Sequence, residues 1–293
     1  MHDSARHLYP VPLHRQAEGT GTLKTAARRL KLLSYNIQTG IAAKGYRHYF
    51  THSWKHVLPC TKRLDNLDRI ATMAGRYDIV GLQEVDGGSL RSGFINQTEY
   101  IALEARFPYW YHQTNRNLGK FAQHSTGILS RVTPTEVTEV KLPGMIPGRG
   151  ALTVRYGHGD EALILVIAHL ALGRRARFRQ FECIADLIDG YRHVIVMGDM
   201  NCNSDSREID WLVKRASLRE PTHNLPTFPS WRPSRNLDQI LVSSTLKIAR
   251  IETLNYLFSD HLPIEMEIDL PPEIEMPRSA AVSMPAIPAI AGA

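Results

Sequence analysis

The chain has 293 residues, 43% hydrophobic and 22% charged, with a formal net charge of +6 and a pI near 9.3. That composition belongs to a globular protein with a sizeable core, and no apolar run nears the ~20 residues that a membrane-spanning helix needs. Three cysteines, Cys60, Cys183 and Cys202, are too few and too scattered for a disulfide framework or zinc cluster. The positive balance favours a phosphate-bearing partner without choosing among nucleic acid, phospholipid and small phosphoesters.

Residues 1–30 read as a flexible arm without the apolar stretch of a secretory signal, so the expected address is cytoplasmic. Residues 31–270 read as one domain, expected to be a monomer, and 271–293 as a Pro/Ala-rich disordered tail. Within the domain, short apolar strands alternate with amphipathic helices. KLLSYNI opens the series, and Leu64, Leu67, Ala71 and Ala74 then mark a helical face. DIVGLQEV is a buried strand, and a helix is expected over 96–107 with Tyr100, Leu103 and Phe107 on one side. The aromatics at Phe107, Tyr109, Trp110 and Tyr111 suit a strand packed on the core. HSTGILSR, VTEVKL, ALTVRYG and LILVIAHL follow as strands. Phe178, Phe181, Ala185 and Ile188 mark a helix, HVIVMGDM a strand, and Ile209, Leu212, Val213 and Ala216 another helix. DQILVS, KIARIETLNY and HLPIEMEI complete the domain. Consecutive strands without helices between them argue against a purely parallel sheet. The expected fold is α/β (α+β), with mixed sheets packed face to face and helices outside.

Polar residues gather where buried strands begin or end: Asn36, Glu84, His169, Asp199, Asn201, Asp238, Asp260 and His261. Single cases are ordinary turn formers, but the whole set makes a site if those ends converge. Asp199 and Asn201 are two apart, so an extended strand projects both to one face with Met200 behind. Glu84, Asp260 and Asn36 offer an all-oxygen set suited to magnesium, with manganese as the alternative. No HExxH or CxxC spacing supports zinc.

Together, YNIQTG, GLQEVD, IAHLALG, GDMNC, LDQILVS and SDHLPI resemble the ordered motifs of the endonuclease/exonuclease/phosphatase superfamily, from about Lys31 to Leu270. The resemblance implies a four-layered α/β sandwich, with two mixed β-sheets flanked by helices. It also implies metal-dependent phosphoester hydrolysis by a water nucleophile. It makes Glu84 the metal carboxylate, Asn36 the amide beside it and Asp260 a second acidic residue at the metal. Asp199 then orients or deprotonates the water, and Asn201 binds phosphoryl oxygens. His169 steadies developing charge or protonates the leaving oxygen. His261 is the catalytic histidine, oriented by Asp238. Phosphodiesterase, phosphatase and nuclease activities all fit. A non-catalytic binding protein on the same fold predicts losses among Glu84, Asp199, Asn201, Asp260 and His261, and none is lost.

Other residues carry weaker signals. Arg174, Arg175, Arg177 and Arg179 read as a solvated helix face more than as a phosphate rim. Arg91 and Asn96 fit either substrate contact or a capped loop, and His124 reads as structural. Trp231 reads as a packing residue in a loop. A cysteine phosphatase needs CxxxxxR, whereas Arg207 lies one position too close to Cys202.

Overall fold

A computed structural model describes residues 29–41, 61–144, 148–222 and 224–276. The expectations for the arm and tail therefore fall largely outside the described residues. In chain order the elements are β1 (Arg29–Asn36), α1 (Thr61–Ala74), β2 (Ile79–Asp86), α2 (Gln97–Glu104), β3 (Tyr109–Asn117), β4 (Gln123–Ser130), β5 (Glu136–Lys141) and β6 (Gly150–Tyr156). There follow β7 (Leu163–His169), α3 (Arg174–Ile188), β8 (His193–Asp199), α4 (Arg207–Arg215), β9 (Leu218–Arg219), β10 (Asp238–Ser243), β11 (Lys247–Thr253) and β12 (Ile264–Asp269).

These strands form two six-stranded mixed sheets, ordered β11-β12-β1-β2-β4-β3 and β5-β6-β7-β8-β10-β9. Leu32, Ile79, Leu165, Ile167, Met197 and Met266 are among the residues filling the space between the sheets. The outer face of the first sheet packs against α1 and α2 through Leu33, Val80, Leu67, Ile70 and Ile101. The second packs against α3 and α4 through Val166, Val196, Phe181, Ile184 and Leu212. This is the expected four-layered sandwich. Strands β7 and β8 are buried along their whole length. Covering on both faces explains why they read as continuous apolar runs rather than alternating ones. Ile274 and Met276, within the stretch read from sequence as tail, also bury between the sheets.

Two local readings change. The second helix is shorter than 96–107, and Leu103 is 61% exposed while Ile101 and Ala102 are buried. The buried face thus runs through Ile101 and not through Leu103. Arg177 is buried and donates to Glu208 Oε1 at 3.1 Å, so the arginine run is not wholly solvated.

The topology places the functional strand ends together. β1 runs parallel to β2, and β7 parallel to β8. Their C-terminal ends carry Asn36, Glu84, His169 and Asp199. A Cβ on Gly81 would stand 2.6 Å from Met197 Cε and 3.3 Å from Ile167, so β2 and the second sheet are in close apposition behind the site.

Candidate active site

Glu84 sits in an irregular stretch of β2, where the register with β4 shifts between Leu82 and Val85. Its φ is +55°, a left-handed conformation unfavourable for a residue with a Cβ. Bulges and such outliers re-aim side chains at functional positions. The Asn36 amide links the sheets: Nδ2 donates to Glu84 Oε1 at 3.2 Å and to Asp199 Oδ2 at 3.0 Å. Asn36 Oδ1 accepts from the Gln38 N–H at 3.1 Å, which orients the amide.

Asp199 closes β8 and Asn201 follows it, but not by strand alternation. The strand ends at Asp199, and Asn201 has φ +52°. Its N–H donates to Asp199 Oδ1 at 2.9 Å and its Nδ2 to the Leu170 carbonyl at 2.8 Å. Met200 packs behind, as expected, in the core under α3 and α4. His169 Nε2 lies 3.5 Å from Asp199 Oδ2 and 3.9 Å from Glu84 Oε1.

Across the site, Asp238 Oδ2 lies 2.7 Å from His261 Nδ1 and accepts from Thr227 Oγ1 at 2.6 Å. His261 Nε2 is 3.9 Å from Asp199 Oδ2. Ser230 clamps the preceding turn, donating from its N–H to the Asp260 carbonyl at 2.7 Å and from Oγ to the Ser259 carbonyl at 2.6 Å. The Phe228 ring packs 4.9 Å from the His261 ring.

The electrostatics separate the two histidines. Burial pushes the His169 pKa well below its usual value, with Arg149, His261 and His124 adding to the effect. Burial acts in the same sense on His261, but Asp238, Asp199 and Asp260 outweigh it and hold its pKa well above the usual range. The site thus disfavours a proton on one imidazole and favours it on the other. Burial, with Asp238 and Glu84 nearby, pushes Asp199 up to about 7 against the opposing pull of His261. Burial, with Glu84 and Asp238, pushes Asp260 up to about 6. Crowded carboxylates of this kind are the environment that a divalent cation relieves.

A family model described as the endonuclease/exonuclease/phosphatase family matches residues 33–261. The chain belongs to that family. It is accordingly a phosphoester hydrolase. No curated protein matches the chain in sequence. Among solved structures it is similar to an endonuclease/exonuclease/phosphatase from Beutenbergia cavernae, at 19% identity and TM-score 0.66, over 83% of this chain and 72% of that one. It is similar to a mannosyl-6-phosphatase from Bacteroides thetaiotaomicron, at 19% identity and TM-score 0.59, over 82% and 99%. It is also similar to the human Nocturnin catalytic domain, at 15% identity and TM-score 0.59, over 83% and 94%.

Endonuclease/exonuclease/phosphatase enzymes are generally dependent on a divalent metal, and this site fits one. Glu84, His169 and Asp199 each offer a donor atom within 4.8 Å of the others, as do Asp199, Asp238 and His261. Asn36 supplies an amide between the first two carboxylates, and the Asp260 carboxyl feels the Glu84 charge. The fold thus brings together all eight residues read from sequence at strand ends. The reading missed Thr227, which bonds Asp238, and Arg149, whose charge acts on Glu84 and Asp199. The signal for Arg149 was an arginine between two glycines at the head of a buried strand. Arg91 and Asn96 take the structural alternative. Arg91 is buried in an ion pair with Asp86 at 2.8 Å, and Asn96 caps α2 by accepting from the Thr98 and Glu99 N–H groups. Among the described residues no helix is long and apolar enough to cross a membrane.

Proposed function

We propose that this enzyme hydrolyses a phosphate ester by direct attack of water, with Glu84, Asn36 and Asp260 holding a magnesium or manganese ion. When bound there, such an ion would neutralise phosphate charge and stabilise the transition state. Asp199, poised near neutral pH, accepts the proton of the attacking water. The free N–H of the Asn201 amide and the N–H of neutral His169 donate to phosphoryl oxygens. His261, kept protonated by its carboxylate neighbours and oriented through Nδ1 by Asp238, gives the Nε2 proton to the departing oxygen.

The observation that carries this reading is the convergence of Glu84, Asp199, Asp238, His169 and His261 from both sheets on one mouth. The test is turnover of a panel comprising a nitrophenyl phosphodiester, single-stranded nucleic acid, phospholipid and sugar phosphate, each with magnesium or manganese. Metal-dependent turnover of at least one class is expected. Magnesium binding without turnover of any class would leave only a binding protein on this fold and overturn the proposal.

A further inference from the structure

The Glu84–Asp199 centre has two flanks. On one stand Asp238 and His261. The other is lined by Arg116, His124 and Arg149, brought together from three separate places in the chain. Arg116 and His124 are direct partners across the β3–β4 ladder. His124 is in turn the partner of Asp86 in β2, two residues beyond Glu84. Arg149 precedes β6, whose Ala151 pairs with Ala168, so Arg149 is level with the residue that follows His169. Gly148 joins the two arginines. It has φ +113°, and a Cβ there would stand 2.8 Å from Cβ and 3.0 Å from Cδ of Arg116. Only a glycine lets the Arg116 stem lie across the backbone next to Arg149.

Neither guanidinium has a carboxylate in ion-pair range, or any side-chain hydrogen bond, among the described residues. Arg116 is exposed and Arg149 half-buried, whereas several other arginines are compensated within the fold. Arg91 has Asp86, Arg177 has Glu208, and Arg131 bonds four backbone carbonyls. Burial and Arg116 instead lower the Arg149 pKa while Glu84 and Asp199 raise it, and the guanidinium stays charged. Burial and Arg91 hold His124 largely neutral, so it offers an N–H rather than another charge. Neighbouring guanidinium groups without a carboxylate partner favour an anion between them, and arginine forks match phosphate oxygens bidentately.

We propose that Arg116, Arg149 and His124 form a second anion pocket, which holds a non-reacting phosphate of the substrate beside the one being cleaved. The proposal rests on the hydrolase reading above and narrows its substrate to a molecule with two neighbouring phosphate groups. Those groups belong either to successive linkages of a nucleic-acid strand or to a small bisphosphate.

The test has a binding arm and a kinetic arm. Inorganic pyrophosphate is titrated calorimetrically into the metal-free protein in chelator. Wild type is expected to bind at least tenfold more tightly than Arg116→Ala or Arg149→Ala. Lys247→Ala, which removes the same charge from an exposed site on β11 away from the mouth, is expected to match wild type. In the kinetic arm, with magnesium, kcat/KM is compared for a thymidine dinucleotide with and without a 5′-phosphate, and for a sugar bisphosphate and monophosphate. Wild type is expected to prefer the doubly phosphorylated member of one pair by tenfold or more, and the pair identifies the source. Arg149→Ala is expected to lose that preference mainly through KM, with Arg149→Lys recovering part of it. Pyrophosphate binding that ignores both arginine substitutions, or a wild type that turns over single and double phosphates equally, would overturn the pocket. Absence of turnover with every ester refutes the hydrolase reading instead, and the calorimetry still decides the pocket.

Discussion

Asp238 accepts a 2.7 Å hydrogen bond from Nδ1 of His261, and both side chains are almost wholly buried. The pair fixes the ring orientation and supplies the nearest negative charge to the imidazole. Asp238→Asn keeps the shape and removes the charge. It is expected to lower kcat by about 10²–10⁴-fold, the range for a lost general acid, as is His261→Ala. Turnover of the nitrophenyl diester, with circular dichroism as a check on folding, measures it. Activity within a few-fold of wild type in a folded variant would remove the pair from the mechanism.

Asp199 lies 3.0 Å from the Asn36 amide and 3.5 Å from the His169 ring. Asp199→Ala is expected to reduce turnover by orders of magnitude with the melting temperature little changed or raised, because it also removes a buried charge. Glu84→Gln is expected to weaken magnesium binding at least tenfold in calorimetry, and chelator to abolish wild-type activity until magnesium or manganese is restored. Full activity in chelator would exclude the metal from the reaction.

The loop after Glu84 is held from within. Asp86 accepts from the Gly88 and Ser89 N–H groups, the Ser89 and Ser92 hydroxyls and the Arg91 guanidinium. Burial alone would raise the Asp86 pKa, but these donors outweigh it and hold the carboxyl below its usual value. A carboxyl with a depressed folded pKa stabilises the fold above its unfolded pKa of about 3.9 and loses that contribution as pH falls through the folded value. Asp86→Ala is expected to destabilise by about 3–5 kcal/mol, leaving Arg91 buried without its partner. The gap between variant and wild type in urea midpoints should be full at pH 7 and shrink below pH ~4. A gap that does not change with pH would contradict the account.

Two glycines offer a matched comparison. A Cβ at Gly198 would stand 1.9 Å from the Ala168 carbonyl oxygen, while Gly190 has φ +79° and open space. Gly190→Ala is expected to cost about 1–2 kcal/mol from backbone strain alone. Gly198→Ala must also push β7 from β8, between His169 and Asp199, and is expected to melt far lower and lose activity. Equal melting temperatures would show that the strands part without penalty.

Cys202 is buried, and burial pushes its thiol up to about 11. Such a thiol is protonated at neutral pH and a poor nucleophile. Cys202→Ala is expected to retain most of the wild-type turnover, and complete loss in a folded variant would reopen covalent catalysis.

Much of this architecture was legible in the sequence because burial writes itself into strands such as LILVIAH and HVIVMGD, with polar groups at their ends. What was not legible has physical causes. Leu103 fits a helical period with Tyr100 and Phe107, yet α2 stops at Glu104 and turns Ile101 and Ala102 inward. Asn201 meets Asp199 through a left-handed turn and not through a pleat, and no periodicity reveals a positive φ at asparagine. Arg116, His124 and Arg149 are ordinary surface letters until strand register and Gly148 set them side by side.

The second sheet is woven from one unbroken stretch, β5 to β10, whereas the first takes β1 to β4 early and β11 and β12 late. Asp260 and His261 travel on the segment just before β12, which must slot between β1 and β11. In chain order, Asp199 and the Arg116 and Arg149 side chains are therefore made well before Asp260 and His261. A chain that stops before this segment lacks His261, so the Asp238–His261 pair forms only once β12 can slot in.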